Sequence, residues 1–210
     1  MADESTKVRR GGRPRSEKTH DAILDSAIEL LIDRGLAAMS MDAVATTAGV
    51  SKATIYRWWP RKENLAMDAL YRQWASTPPA ADTETLREDL RNLFWPWTRQ
   101  ITRRPYGRII AGLLVEVLTT PEFALEYRTR FVEHLRDQGR LILQRAIGRR
   151  EISPHTHTEV VLDLLYGSIY HRMFHGHAPL DSAFIDQAID TVLDGIRSRS
   201  DDAAAAGPSR

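Results

Sequence analysis

Gly49 and Ser51 stand two residues apart in the run Ala48-Gly49-Val50-Ser51-Lys52-Ala53-Thr54-Ile55-Tyr56-Arg57-Trp58-Trp59-Pro60-Arg61-Lys62. Glycine suits the turn that closes a helix, because it takes positive φ without a Cβ clash. Serine is a strong N-cap for the next helix. Pro60 ends that next helix by removing a donor and biasing Trp59 away from helical geometry. The segment between is short and wet. Its one apolar anchor is Ile55, set among Lys52, Thr54, Tyr56 and Arg57, with Lys62 just beyond. Such a helix does not build a core. Two helices joined by such a turn have the helix-turn-helix form, whose second helix lies in the major groove of DNA.

Apolar periodicity extends helix on both sides. Thr19 or Asp21 can cap a first helix, with Ile23, Leu24, Ala27, Ile28, Leu30, Leu31 and Ile32 as its stripe and Gly35 as its stop. Ser40 caps the second, with Val44, Ala45 and Ala48 inward. A fourth runs from about Lys62 to Ala75, and residues 76–82 read as a linker. A fifth starts near Thr83 and meets Pro96, where a kink or a break is expected. Glu88-Asp89 reads as a solvated face. Tyr106 to Leu118, Pro121 to about Arg149, His157 to His175 and Ser182 to Ile196 complete the series. No segment alternates as a strand does. The prediction is an all-α protein of about nine helices. A helix-turn-helix DNA-binding domain covers residues 17–64, and a larger helical domain covers 65–198. Residues 1–16 and 199–210 lack periodicity and read as disordered tails, the first of them basic.

Net charge is only +1 over 210 residues. Its distribution says more. Residues 7–63 hold eleven Lys/Arg against seven Asp/Glu, a local +4, whereas residues 64–210 hold eighteen against nineteen, a local −1. The basic excess sits with the helix-turn-helix. There is no cysteine, which excludes disulfides and thiolate chemistry. No apolar run approaches the ~18 residues of a membrane span, and no apolar core follows the basic N-terminus. A cytoplasmic protein is expected.

Within the motif the residue types divide by chemistry. Lys52 and Arg57 can donate to guanine or phosphate, and Thr54 can reach a base edge or phosphate. Ala53 shares the same short helix. Ser40, Ser51, Tyr56 and Lys62 suit phosphates, Ser40 and Ser51 at helix N-termini that already favour an anion. Trp58 is bulky enough to serve either side and is counted with the DNA-facing set. Val50, Ile55 and Trp59 anchor the helix to its own domain. Gly12-Arg13-Pro14-Arg15 can extend into a narrow minor groove through Arg13 and Arg15. The other reading of that arm is a solubilising tail.

From Thr19 to Leu70 the chain resembles the DNA-binding domain of the TetR family of bacterial repressors. Ala48-Gly49-Val50-Ser51, Thr54-Ile55-Tyr56 and Lys62-Glu63-Asn64-Leu65 carry the likeness, together with Arg34-Gly35, Ser40-Met41 and Val44-Ala45. One departure is Trp59-Pro60-Arg61, where the family usually has a single Phe before a charged turn. The resemblance implies a homodimer on a palindromic operator, released by a small-molecule effector held in the second domain. No cofactor is implied. It also implies that the last two helices pair with their copies. Val161, Leu164, Leu165, Ser168, Ile185, Ile189 and Val192 are the expected dimer contacts, and intramolecular core is the other reading of those stripes. Trp95, Trp97, Tyr127, Tyr166, Tyr170 and His171 are the expected effector contacts, against plain packing as the alternative.

His171 and His175 stand at i,i+4 with His177 close by, a spacing that can bind zinc. With no Cys and no His-Glu-x-x-His, no metal site is expected, since a third ligand has to come from elsewhere. Histidines at a helix end also interact favourably with the dipole. Two rival functions stay open, a sequence-tolerant DNA binder without effector and an all-α enzyme with a basic tail. Against the enzyme, the chain has no phosphate loop, no Gly-x-Ser-x-Gly elbow and no Cys nucleophile.

Overall fold

The computed structural model describes residues 13–74, 82–103 and 105–205, with side chains for 17–73, 82–103 and 105–196. Among the described residues there are nine helices and no strand. α1 spans Arg13–Ala38, α2 Met41–Ala48, α3 Lys52–Tyr56, α4 Lys62–Trp74, α5 Leu86–Thr102 and α6 Tyr106–Thr119. α7 is one rod in three pieces, Pro121–Tyr127, a π-helical turn Arg128–Val132, and Glu133–Gly148. α8 spans Thr158–His175 and α9 Ser182–Ala205. The chain divides into two compact units, the first ending at Gln73 and the second beginning at Trp74.

In the first unit α1 buries Ile23, Leu24, Ala27, Ile28 and Leu31, a stripe of helical period. Ile32, expected in that stripe, is exposed; one residue beyond Leu31 it is turned by about 100° from the core. α1 starts ahead of Thr19 and Asp21, with Pro14 in its first turn, where a missing N–H costs nothing. Gly35 breaks it at φ 74, ψ 172, and a last turn follows. α2 packs on α1, and α3 on α2.

α4 is fastened to α1 at both ends. The Lys62 ammonium donates to the carbonyls of Leu36 at 2.9 Å, Ala37 at 3.2 Å and Met39 at 3.2 Å. At the other end Arg72 donates to Asp21 at 3.2 Å and pairs with Asp25. Leu65, Ala66, Met67, Ala69 and Leu70 are buried between. These ties correct the predicted domain boundary at residue 64, because α4 belongs to the first unit. Of the predicted linker 76–82, only Asp82 lies among the described residues.

In the second unit α5 touches α6, α7 and α9. It buries Leu86, Leu90, Phe94, Thr98 and Ile101. The helix runs through Pro96 without the break allowed for. Pro96 sits on the exposed side, while Phe94 and Thr98 hold the buried one. α5 begins at Leu86 rather than Thr83, because Thr83 is used differently. Its N–H and its hydroxyl each donate to Asp89 Oδ1 at 2.7 Å. Arg149 donates to the other carboxylate oxygen at 3.1 Å. Asp89 is therefore fully buried, not on a solvated face. The Leu86 N–H donates to Glu151 Oε2 at 2.7 Å, serving the start of α5 where Thr85 gives no side-chain cap.

α7 keeps the continuity predicted for Pro121 to Arg149 but widens through its π-helical turn. A Cβ on Gly139 would stand 2.5 Å from Leu162 Cδ2, so α7 and α8 meet closely there. Beside that contact Arg136 donates to Glu159 and Asp163, each at 2.6 Å, and Arg140 donates to Glu159 at 2.8 Å. The Arg140 and Arg136 hydrogen bonds hold the Glu159 carboxyl down at about 2. α9 turns Ile185, Ile189 and Leu193 inward. Arg87 and Arg91 of α5 donate to Asp190 and Asp186 at 2.7 and 2.8 Å. α9 continues to Ala205, into the predicted tail 199–210; Ala203 to Ala205 are strong helix formers.

Candidate nucleic-acid interface

The helix-turn-helix is built by backbone caps. Ser40 Oγ accepts the Ala43 N–H at 3.2 Å and opens α2. Gly49 closes it at φ 65, ψ 34. The Val50 N–H then reaches the Ala45 carbonyl at 3.0 Å and the Gly49 N–H reaches Thr46 at 3.3 Å, the hydrogen bonds of a left-handed C-cap. Ser51 Oγ accepts the Thr54 N–H at 3.2 Å and lies 2.9 Å from the Thr54 hydroxyl.

Ile55 and Trp59 are buried, as expected of anchors, and Val50 is half-buried. Trp59 Nε1 donates to Asp68 Oδ2 of α4 at 2.8 Å. On the opposite side Ser51, Lys52, Ala53, Tyr56 and Arg57 are exposed and Thr54 is half-buried. Lys52 lies 2.7 Å from Asp42 of α2; that hydrogen bond and the carboxylate charge raise its pKa, so the ammonium stays protonated.

One predicted DNA contact is corrected. Lys62 spends its three donors on the carbonyls that end α1, so it is a helix cap. Trp58 is half-buried, with its ring centre 5.6 Å from His20 and 5.7 Å from Trp59. The Arg57 guanidinium lies 5.4 Å from its ring, and the exposed half of Trp58 leaves it open to packing or DNA contact. Arg13 and Arg15 fall in the first turn of α1 rather than in an extended arm; their side chains, and all of residues 1–12, lie outside the described residues.

Four of the six predicted effector residues come together. Trp97 meets Tyr166 at 5.3 Å and Tyr170 at 5.6 Å between ring centres. Tyr127 stacks on Phe131 and interacts with the Tyr170 hydroxyl. Burial raises the pKa of all three tyrosines, so they are neutral. The Tyr166 hydroxyl donates to the Leu135 carbonyl at 3.1 Å, but Trp97 Nε1 is buried with no hydrogen bond among the described residues. Trp95 makes no ring contact with this cluster among the described residues, and His171 sits with His175 and His177 instead. The sequence reading missed a surface groove of about 440 Å³ bordered by Arg103, Arg108, Arg172, Met173 and Leu180. Spacing gave no signal for it, because its walls come from α5, α6, α8 and the turns beside them.

The dimer expectation needs correction at four positions. Val161, Leu165, Ile185 and Ile189 are buried within this chain, because their stripes fill its own core. Leu164 is 56% exposed and Ser168 and Val192 are half-buried. Val160, 53% exposed, lies beside Leu164 one turn away.

A capped three-helix reading head followed by an all-α unit defines a helix-turn-helix DNA-binding regulator. Residues 23–69 match the family described as bacterial regulatory proteins, tetR family. Residues 80–192 match the tetracyclin repressor-like C-terminal domain. The chain belongs to the TetR family. It is 33% identical over 189 residues to YdeS of Bacillus subtilis (strain 168), named an uncharacterized HTH-type transcriptional regulator, covering 90% of this chain and 95% of that one. It is 33% identical to the DNA-binding transcriptional repressor TetR of Mycobacteroides abscessus, covering 85% and 94%. The solved TetR family transcription regulator SCO0332 superposes with a TM-score of 0.73 at 33% identity, covering 85% and 98%. Among the described residues no helix is long and apolar enough to cross a membrane.

Proposed function

We propose that this regulator is a cytoplasmic homodimeric repressor that holds a palindromic operator through two copies of α3 and leaves it when a small molecule binds the second unit. The observation that carries the reading is α3 itself. Ile55 and Trp59 fix it from below while Lys52, Ala53, Thr54, Tyr56 and Arg57 stand on its open side. Lys52, Ala53, Thr54 and Arg57 read bases; Ser40, Ser51 and Tyr56 hold phosphates; Arg13 and Arg15 add charge nearby. Half-sites lie about 34–36 Å apart or a multiple of that.

The dimer uses the apolar side of α8 left over by the core, Val160 and Leu164, together with the half-buried Ser168 of α8 and Val192 of α9. The effector sits at Trp97, Tyr127, Tyr166 and Tyr170. The orphaned Trp97 Nε1 donor supports that choice, because buried donors are rarely left without an acceptor. An effector releases DNA only if it binds the DNA-free form better.

The test is a gel shift on the DNA flanking the gene for this chain, at two salt concentrations. Operator-specific binding gives a palindrome held far tighter than random DNA at both. Equal affinity for the two would sink the reading and leave a sequence-tolerant binder. A small-molecule screen by thermal shift, repeated with Tyr127→Phe, tests the effector cluster.

A further inference from the structure

We infer that the groove between the end of α5, the start of α6 and the end of α8 binds an amphipathic organic anion, an apolar body ended by a carboxylate. A break in the chain builds the groove. Pro105 has no N–H with which to continue α5, and α6 begins at Tyr106 directly after it. Gly107 lets that start lie close to its neighbours. A Cβ there would stand 3.1 Å from the Ile101 carbonyl oxygen and 3.8 Å from Met173 Sδ of α8. The hollow beside them holds about 440 Å³, within the range of small-molecule sites.

Its walls divide by chemistry. Met173, Phe174 and Leu180 supply apolar surface, and Phe174 is 49% exposed although it is a large aromatic. Arg103, Arg108 and Arg172 supply guanidiniums, and among the described residues none that lines the groove is acidic. Arg172 is held in place, since it donates to the Pro179 carbonyl at 2.6 Å and its guanidinium lies 3.6 Å from the centre of the Phe184 ring. A guanidinium has further N–H donors, which that one bond leaves for a carboxylate. The Asp181 carboxylate, next to Leu180, is committed to α9, where it accepts the Phe184 N–H at 2.9 Å. Arg103 and Arg108 are exposed and make no ion pair among the described residues. The first turn of α6 carries neither an acid nor a side-chain cap, so the positive end of that helix adds to the field. Cations beside an apolar wall match a molecule with one charged end and one oily one. A small inorganic anion leaves the apolar wall wet, and a neutral oil leaves the guanidiniums unserved. Phe174 stacks on Tyr170 at 5.9 Å between ring centres, but none of Trp97, Tyr127, Tyr166 and Tyr170 borders the groove. It is a second site beside the aromatic cluster.

The test is calorimetric titration of the full chain with sodium decanoate below its micelle concentration, beside decanol and sodium acetate. The expected result is saturable decanoate binding, weakened at least about tenfold when Arg103→Gln and Arg108→Gln are combined and weakened by added salt. Arg99→Gln, at an exposed arginine of α5 outside the groove, leaves binding unchanged, and so does Trp97→Phe. Decanol and acetate each bind at least about tenfold more weakly than decanoate. Unchanged melting temperatures without decanoate show that the variants fold. The proposal is overturned if decanoate does not bind saturably, if the combined arginine variant binds it as wild type does, or if decanol or acetate binds as tightly. It is equally overturned if Trp97→Phe abolishes binding, which would place decanoate in the aromatic cluster.

Discussion

The ammonium of Lys52, first residue of α3, lies 2.7 Å from Oδ1 of Asp42 on α2, and both side chains are exposed. A phosphate approaching α3 competes with that carboxylate and is repelled by it. Asp42→Asn removes the competitor and leaves Lys52 to the nucleic acid. We expect it to tighten binding to DNA of any sequence about threefold to tenfold, with a steeper salt dependence. Fluorescence anisotropy at two salt concentrations checks this, and weaker binding would contradict it.

Tyr56 and Lys62 separate contact from scaffold. Tyr56 is 52% exposed, so Tyr56→Ala should weaken operator binding by about 1–2 kcal/mol while leaving the melting temperature nearly unchanged. Lys62→Ala strips the donors from three carbonyls and should cost about 1–3 kcal/mol of stability. In the folded fraction its salt slope for DNA should match wild type. Urea melts paired with binding curves decide between the two roles. A Tyr56→Ala protein that simply unfolds would place that side chain in the core.

Asp89 makes the second unit acid-sensitive. Burial alone would raise its pKa, but the two Thr83 hydrogen bonds and the Arg149 guanidinium overcome that and lower it. The folded value lies below the unfolded one, so the stabilisation is complete above the ordinary carboxylate range. It is lost as pH falls through the folded value. Asp89→Asn takes one of three carboxylates from Arg149, which keeps Asp82 and Glu151, and weakens the acceptor of the Thr83 hydrogen bonds; it should cost about 1–3 kcal/mol near neutrality. The urea midpoint of the variant should also fall less between neutral and acid pH than that of wild type.

Gly139→Ala tests the closest approach of α7 to α8. The added methyl meets Leu162, whose neighbours leave it little room, so about 1–3 kcal/mol of stability is lost. Thermal melting measures the loss, and an unchanged midpoint would show that the contact yields.

The reading head was legible because its signals are local. Ser40, Gly49 and Ser51 each act within five residues of themselves, and their caps form where residue type and spacing placed them. What escaped depends on partners far along the chain. Lys62 reads as a basic residue beside a DNA motif, and only the fold brings it to Leu36. Asp89 looks like half of a solvated acidic pair until Thr83 and Arg149 enclose it. The apolar stripe of α8 was visible, but its phase was not. Val161 and Leu165 fill the core, while Val160 and Leu164, one residue earlier, face out. A stripe that wide does not say which edge its own domain consumes. The π-helical turn at Arg128–Val132 has no residue signature.

The two fastenings of α4 carry a mechanical consequence. Lys62 ties its first residue to the end of α1, and Arg72 ties its last turn to Asp21 and Asp25 near the other end. α4 has 13 residues, about 20 Å at ~1.5 Å per residue. A rod clamped at both ends cannot pivot on one of them. A displacement applied where the chain leaves Trp74 therefore does not bend α4 away from α1. Within the first unit α4 and the three helices before it form one mechanical body.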